Sequence, residues 1–308
     1  MPELYAALTD LLAPDADDVE GLPRLPHAER LLSRAERRPA ERDWRRWALR
    51  RAGLTAPPGD LPVARTLAGR HGHAPGEAAT WFVVTPVHLV AGLTRLHFHP
   101  RGALTLPPGG AAALAARFAR DWADPALALV EAGDHLLLRA EGRFEVATVD
   151  PAAYAGRDVG EALPTGADAG RVERLMTELQ MWLHGAPPAS VEGPPVNALW
   201  LWGAGATPLA GAAAWPALDG RDAFLEAAAG GSPRAEARLE CWSLAALARE
   251  GHAFAAADAL WFGALATALA RGSLDGARVH ARGLEFVLRP GQRFRVWVRP
   301  RPWWEILG

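Results

Sequence analysis

Apolar and polar positions along this chain follow two periods, one of helices and one of strands, and the changes between them mark three stretches. In Pro26–Arg38 (PHAERLLSRAERR), Leu31, Leu32 and Ala35 fall on one helical face, with Pro26 at its start. Ala40–Ala52 predicts a second helix, stopped by Gly53. Pro57–Gly76 is rich in Pro, Gly and His and reads as a loop flanking a short helix, so the first 75 residues read as helices and loops. Trp81–Thr85 (WFVVT) then predicts a buried strand. Thr94–His99 alternates, with Leu96 and Phe98 on one face and Arg95, His97 and His99 on the other. Gly110–Trp122 predicts a helix. Ala126–Val130, His135–Leu138 and Phe144–Val149 predict strands, the last two joined by a turn at Glu141-Gly142.

Asp168–His184 has the clearest helical stripe, Val172, Leu175, Met176, Leu179 and Leu183, with Asp168 placed to cap it. A Pro-rich segment leads to Val196–Trp202 (VNALWLW), a strand ending in Gly203-Ala204-Gly205. A helix at Ala255–Arg271 follows, then strands at Ala277–His280, Leu284–Leu288 and Arg293–Val298. These changes predict a helical part over residues 1–78, an α/β domain over 79–195, and a remainder over 196–308 that ends in an Arg/Trp-rich tail.

Composition narrows the chemistry. Half of the 308 residues are apolar and 22% are charged, a globular composition able to bury a sizeable core. The formal charge of −2 supplies no global field for nucleic acid or an anionic membrane. All 33 basic residues are arginine, which excludes a Schiff-base lysine, a P-loop lysine and a lysine general base. Coding bias accounts for the missing lysine but not for thirteen tryptophans. Cys241 is the single cysteine, so neither an intrachain disulfide nor a cysteine zinc cluster can form, and it reads as a buried strand residue. The first residues are acidic where a secretory signal is basic, and the longest apolar run, Ala253–Ala270, is interrupted by Asp258. The expectation is a cytoplasmic protein without a membrane span.

Several constellations carry possible chemistry. Arg42, Arg45, Arg46, Arg50 and Arg51 beside Trp44 and Trp47 make a basic aromatic helix. Glu29, Glu36, Glu41 and Asp43 can balance it, so a solvated helix face is the plainer reading. His97 and His99 share a strand face, but zinc needs at least a third protein ligand; His71 and His73 lie in a loop. Gly203-x-Gly205 follows a strand as in a dinucleotide fold, yet Pro208 stands at the third glycine position. A glycine pair there still admits close approach by an anion or another backbone segment. Asn197, the single asparagine, can orient a ligand or satisfy local backbone. No serine sits in G-x-S-x-G.

These stretches carry a resemblance. TPVHLVAGLTRL, AGRDVGEALPTG, LMTELQMWLH, PPVNALWLWGAGATP and the ending RVWVRPRPWW resemble bacterial regulatory proteins of the RpfE type, a group similar to cofactor-independent phosphoglycerate mutase. The archaeal-type mutases belong to the alkaline phosphatase superfamily and have an α/β core with a smaller α/β domain inserted. LPRLPHAERLLSRAER looks like their T-P-N-L-D-R-L-A helix, and EAGDHLLLRAEG like the strand that carries a substrate-binding histidine, here His135. PVNALWLWGAG looks like their P-x-N-x-x-x-x-R-G-A-G, which implies a ligand site at Asn197, Gly203 and Gly205, with Arg157 from AGRDVGEALPTG beside it. Trp202 stands where those enzymes have a phosphate-binding arginine.

The enzymes also use two metals and a serine or threonine nucleophile, with ligands from a D-G-x-x-D strand and C-terminal aspartates and histidines. Here the N-terminus has no such strand, and His252, Asp258, Asp275 and His280 match no such pattern. The resemblance therefore implies a degenerate mutase-like core that uses no cofactor or metal and acts by binding a small anionic metabolite or a protein partner, with a regulatory role. An active metal-dependent phosphomutase is one alternative. A nucleic-acid or partner-binding module through the Arg/Trp helix and tail is the other, with the near-zero net charge arguing against nucleic acid.

Overall fold

A computed structural model describes residues 3–9, 23–56, 59–73, 78–191, 193–207, 209, 217–219, 222–229, 237–242 and 254–307. His252 and Pro208 lie outside the described residues. The chain is mixed α/β and divides into two compact units. Met1–Thr55 and Gly211–Gly308 form the first, and Ala56–Ala210 the second. The expected boundaries at 78/79 and 195/196 therefore both fall inside the second unit.

In chain order the first unit opens with β1 (Glu3–Leu8), α1 (Pro26–Arg34), β2 (Glu36–Pro39) and α2 (Trp44–Arg51). The second holds α3 (Val63–Arg70), β3 (Ala79–Ala91), β4 (Leu96–Ala103), α4 (Gly110–Asp121), β5 (Leu127–Ala132), β6 (His135–Glu141), α5 (Ala169–His184) and β7 (Ala198–Trp202). The chain returns to the first unit with β8 (Ala217–Asp219), α6 (Ala223–Ala229) and β9 (Arg238–Trp242). Helix α7 runs through Phe254–Ala257, a π-helical turn Asp258–Gly263 and Ala264–Arg271, and β10 (Gly276–Ala281), β11 (Leu284–Leu288) and α8 (Trp303–Leu307) complete the unit.

The first unit's sheet has the order β2-β11-β10-β1-β9-β8. β1 runs parallel to both β10 and β9, and β8 parallel to β9, while β11 and β2 add antiparallel pairs at one edge. Strand alternation sends Leu4, Ala6, Leu8, Ala277, Val279, Ala281, Phe286 and Leu288 to one face. There they pack against Leu32 of α1, Phe262 and Leu265 of α7, and Trp303 and Ile306 of α8. Burying leucine- and phenylalanine-sized side chains stabilises by about 1.5–3 kcal/mol each.

Pairing overrules local propensity in four places. ELYAAL is made of good helix formers and stands in a stretch that reads as helix and loop, yet it is a central strand flanked on both edges, the position that favours a continuous apolar run. The first predicted helix stops at Arg34, and Glu36–Pro39 instead pairs with β11 as an exposed, charged edge strand. Since β2 occupies that edge of β11, Arg293–Val298 has no strand to pair with there. The segment forms a 3₁₀ turn at Pro290–Phe294 followed by irregular chain, not the expected strand. Phe144–Val149 is not a strand either. The hairpin lies one strand earlier, where β5 and β6 join through Gly133-Asp134, with Gly133 at φ 62° in the turn position that favours glycine.

In the second unit β3 is the organiser. Val83 pairs with both Leu137 of β6 and Trp202 of β7, so these strands lie on opposite edges. Val87 pairs with both Ala103 of β4 and Ala198 of β7. Helix α3 packs against β3, α5 against β7 and α4 against β5. The α5 stripe is buried as its spacing predicts, but Asp168 does not cap it: its carboxylate accepts from the Glu145 N–H at 2.8 Å. Cys241 is half-buried in β9, not fully buried. Among the described residues no helix is long and apolar enough to cross a membrane.

Candidate functional site

The glycine block at the end of β7 is the place of closest backbone approach among the described residues of the second unit. Gly203 adopts φ 72°, and a Cβ there would lie 2.8 Å from Val63 Cβ. Its carbonyl accepts from Ala64 N–H at 3.0 Å, which ties the strand end to the first turn of α3. At Gly205 a Cβ would stand 2.2 Å from Asp60 O and 2.5 Å from Leu61 C, so only glycine lets these backbones meet, and the Gly205 N–H donates to Leu61 O at 3.1 Å. The neighbour admitted by the glycines is therefore the chain's own 60–64 segment.

An anion also occupies this place, and it is Asp60. Its Oδ2 accepts from Ala204 N–H at 3.0 Å, Thr148 N–H at 3.2 Å and the Thr148 hydroxyl, while Oδ1 accepts from Leu61 N–H at 3.0 Å. Thr148 Oγ1 in turn accepts from Gly203 N–H at 2.9 Å. Burial pushes the Asp60 carboxyl up to about 6 against these donors, which pull the other way. Neither Asp60 nor Thr148 stands out in the sequence. The available signal was one acidic residue in the apolar run PPGDLP ahead of a helix.

The other expected site residues are engaged in several places. Both amide atoms of Asn197 bond Leu89: Oδ1 accepts from its N–H at 2.7 Å and Nδ2 donates to its carbonyl at 2.9 Å. They pin the β-bulge at His88, where the β3–β4 register shifts. Trp202 is 8% exposed, and its indole N–H donates to Thr85 Oγ1 at 2.8 Å. Trp200, on the same strand face, donates to Val149 O and meets Phe98 edge-on with ring centroids 4.8 Å apart. His135 opens β6 at its hairpin turn, opposite Ala132. Arg157 lies beside β4, where its carbonyl accepts from Phe98 N–H and its guanidinium pairs with Glu161 over the Tyr154 ring. Asn197, Trp202, Gly203 and Gly205 thus share β7 and its ends, while His135 and Arg157 belong to other elements.

The histidines divide in the same way. His97 and His99 lie on β4, and His99 faces His88 at 5.9 Å between ring centroids. Burial, the charge of His88 and Arg101 hold the His99 pKa below its ordinary value. His71 and His73 stand at the β5–β6 turn, His71 against Gly133 and His73 near Glu131 O. Among the described residues no three His, Cys, Asp or Glu side chains stand where they could hold one metal ion. Asp258 instead caps α1, accepting from His27 N–H at 2.9 Å and Ala28 N–H at 2.8 Å.

The first unit holds a second polar cluster on the sheet face beneath α2. Glu285 is 3% exposed and accepts from Trp47 Nε1 at 2.8 Å, with Arg51 at 2.9 Å and Arg278 at 3.1 Å. His280 lies against Trp47 with centroids 5.3 Å apart and the rings tilted by 35°, bonds Glu41 O through Nε2 at 2.7 Å, and buries an Nδ1 that has no partner among the described residues. Burial holds its pKa low against the opposing charges of Glu41 and Glu285. Tyr5 donates to Glu3 at 2.7 Å, and its hydroxyl is pushed up to about 12 by burial and that carboxylate. Set against family models, curated proteins and solved structures, the chain matches none.

Proposed function

We propose that this is a catalytically degenerate, phosphoglycerate-mutase-like protein with an alkaline-phosphatase-like core, acting in the cytoplasm by binding a small anionic metabolite or a protein partner. One observation carries the degenerate part of the reading: the block that resembles the mutases' glycine motif is closed by the chain's own groups, which leaves no open phosphate site there. Trp202, at the position of their phosphate-binding arginine, donates to Thr85, and Asp60 supplies a carboxylate to the Ala204 N–H. Agreement also comes from the fold. The N-terminal strand β1 runs parallel between strands of the C-terminal part, and the chain between them forms a separate unit, as in an α/β core with an insertion. The regulatory role rests on the resemblance alone.

The test is interconversion of 3- and 2-phosphoglycerate by the full chain with Mn²⁺ or Zn²⁺, against a heat-killed control. The expected result is no turnover, with 3-phosphoglycerate or inorganic phosphate tested separately as a ligand by equilibrium titration. Turnover above the control overturns the reading in favour of an active phosphomutase with rearranged ligands.

A further inference from the structure

The C-terminal segment 289–301 runs beyond β11 as the 3₁₀ turn Pro290–Phe294 and then irregular chain, and it combines two properties. It is exposed along most of its length, with Phe294 at 64%, Val296 at 74% and Trp297 at 75% exposure. It also carries Arg289, Arg293, Arg295, Arg299 and Arg301, none of which forms an ion pair among the described residues. The guanidinium contacts are with neutral groups: Arg293 bonds Ala270 O at 2.7 Å and Arg295 bonds Arg34 O at 3.2 Å, while the main-chain N–H of Arg301 donates to Ser33 Oγ at 2.9 Å.

More positive charge lies alongside. Arg34 bonds the carbonyl of Arg293 at 3.2 Å, and the charge of Arg301 adds to burial in lowering the Arg37 pKa. A carboxylate nearby, Glu36, is already bound by Arg38 at 2.7 Å. Arg289 and Arg295 join Arg38 in holding it below its usual range. Arg293 lies over the Phe294 ring at 4.7 Å. An open groove along α7, lined by Leu260, Ala264, Thr267 and Arg271, ends at the same corner, where Arg293 reaches Ala270.

We propose that this tail is a docking surface for single-stranded nucleic acid, with Arg293, Arg295, Arg299 and Arg301 facing phosphates and Phe294 and Trp297 receiving bases. An acidic peptide answers the charge but leaves two open rings without a matching group; a phosphate chain bearing bases answers both. A duplex hides its bases from such rings. The net charge of −2 does not oppose this, because the tail's arginines act within a screening length of about 8 Å.

The test is anisotropy of a labelled single-stranded oligonucleotide of about 12 nucleotides with the full chain. Parallel arms use the duplex, poly-glutamate and phosphatidylserine vesicles. With about four phosphates neutralised, log Kd changes with log salt at a slope near 2.8, an affinity loss of about 50-fold between 50 and 200 mM. Trp297→Ala is expected to weaken binding by about 5- to 150-fold, the range of one lost base stack. Arg299→Gln with Arg301→Gln is expected to lower the slope by about 1.4. Both variants change exposed side chains, and an unfolding midpoint matching the parent shows that they fold. Absence of binding at low salt overturns the proposal, as does a Trp297→Ala affinity equal to the parent's. Tighter capture by duplex, poly-glutamate or vesicles than by the single strand also overturns it.

Discussion

Helix α2 and the 289–301 tail are built from the same residues, arginine and tryptophan, and the fold uses them in opposite ways. All four arginines of α2 meet an acid: Arg45 with Asp222, Arg46 with Asp43, Arg50 with Glu41 and Arg51 with Glu285. Trp47 is 1% exposed, and its N–H is bound. In the tail the arginines bond carbonyls or face solvent, and Trp297 is three-quarters exposed. Composition does not separate the two segments; the acids that the fold delivers do. The glycine block behaves like α2, since Asp60 and Thr148 close it from within.

The sharpest way to break this contrast is to remove an acid from the closed side. Glu285→Ala leaves Trp47 without its acceptor and Arg51 and Arg278 facing one another in a buried site. A loss of about 3 kcal/mol is expected in denaturant unfolding. A loss below about 1 kcal/mol would mean that α2 is not held by its ion pairs. Gly205→Ala tests the closed block: the new Cβ meets the backbone of Asp60 and Leu61, and a cost near the upper end of overpacking, about 3 kcal/mol, is expected. Gly69→Ala is its control. That position in α3 has open space, and the change is expected to stabilise by about 0.5–1 kcal/mol.

Acid separates the two closed regions by sign. Burial depresses the His280 pKa, so the native state binds fewer protons than the unfolded chain as pH falls through the ordinary histidine range, and stability is lost on that side. Burial raises Asp60 from 3.8 to about 6, so the native state holds the extra proton between those values. Its contribution is full below 3.8 and is lost as pH rises through about 6. The Asp60 effect is on the order of 1–3 kcal/mol. Unfolding free energies against pH for the parent, His280→Gln and Asp60→Asn check it. The first variant should flatten the acid loss and the second should remove the acid gain; the same sign for both would contradict the assignment.

How far the sequence led depended on what each element needed. Helix α5 and strand β7 were readable because the five-residue apolar stripe and the ALWLW run are explained by burial against near neighbours. β1 was not, since ELYAAL becomes a strand through pairing with β9 and β10, more than two hundred residues away. The Arg293–Val298 alternation looked like a strand but has no free edge at β11, because ERRP pairs there. At the site, the glycines announced a close approach, while the approaching groups, Asp60 and Thr148, lay some 145 and 55 residues earlier with no motif of their own. Asn197 was legible as a polar amide ahead of an apolar strand, but the backbone it bonds, Leu89, lies 108 residues away on β3, so its partner could not be read from the sequence.

The contrast between closed and open arginines is tested most directly by the salt dependence of single-strand binding in two single variants, Arg46→Gln on α2 and Arg299→Gln on the tail. Arg46 already has Asp43 as its partner, so its loss should leave the slope of log Kd against log salt unchanged. Loss of Arg299 should lower the slope by about 0.7. Equal reductions in both variants, or a reduction confined to Arg46→Gln, would contradict the account.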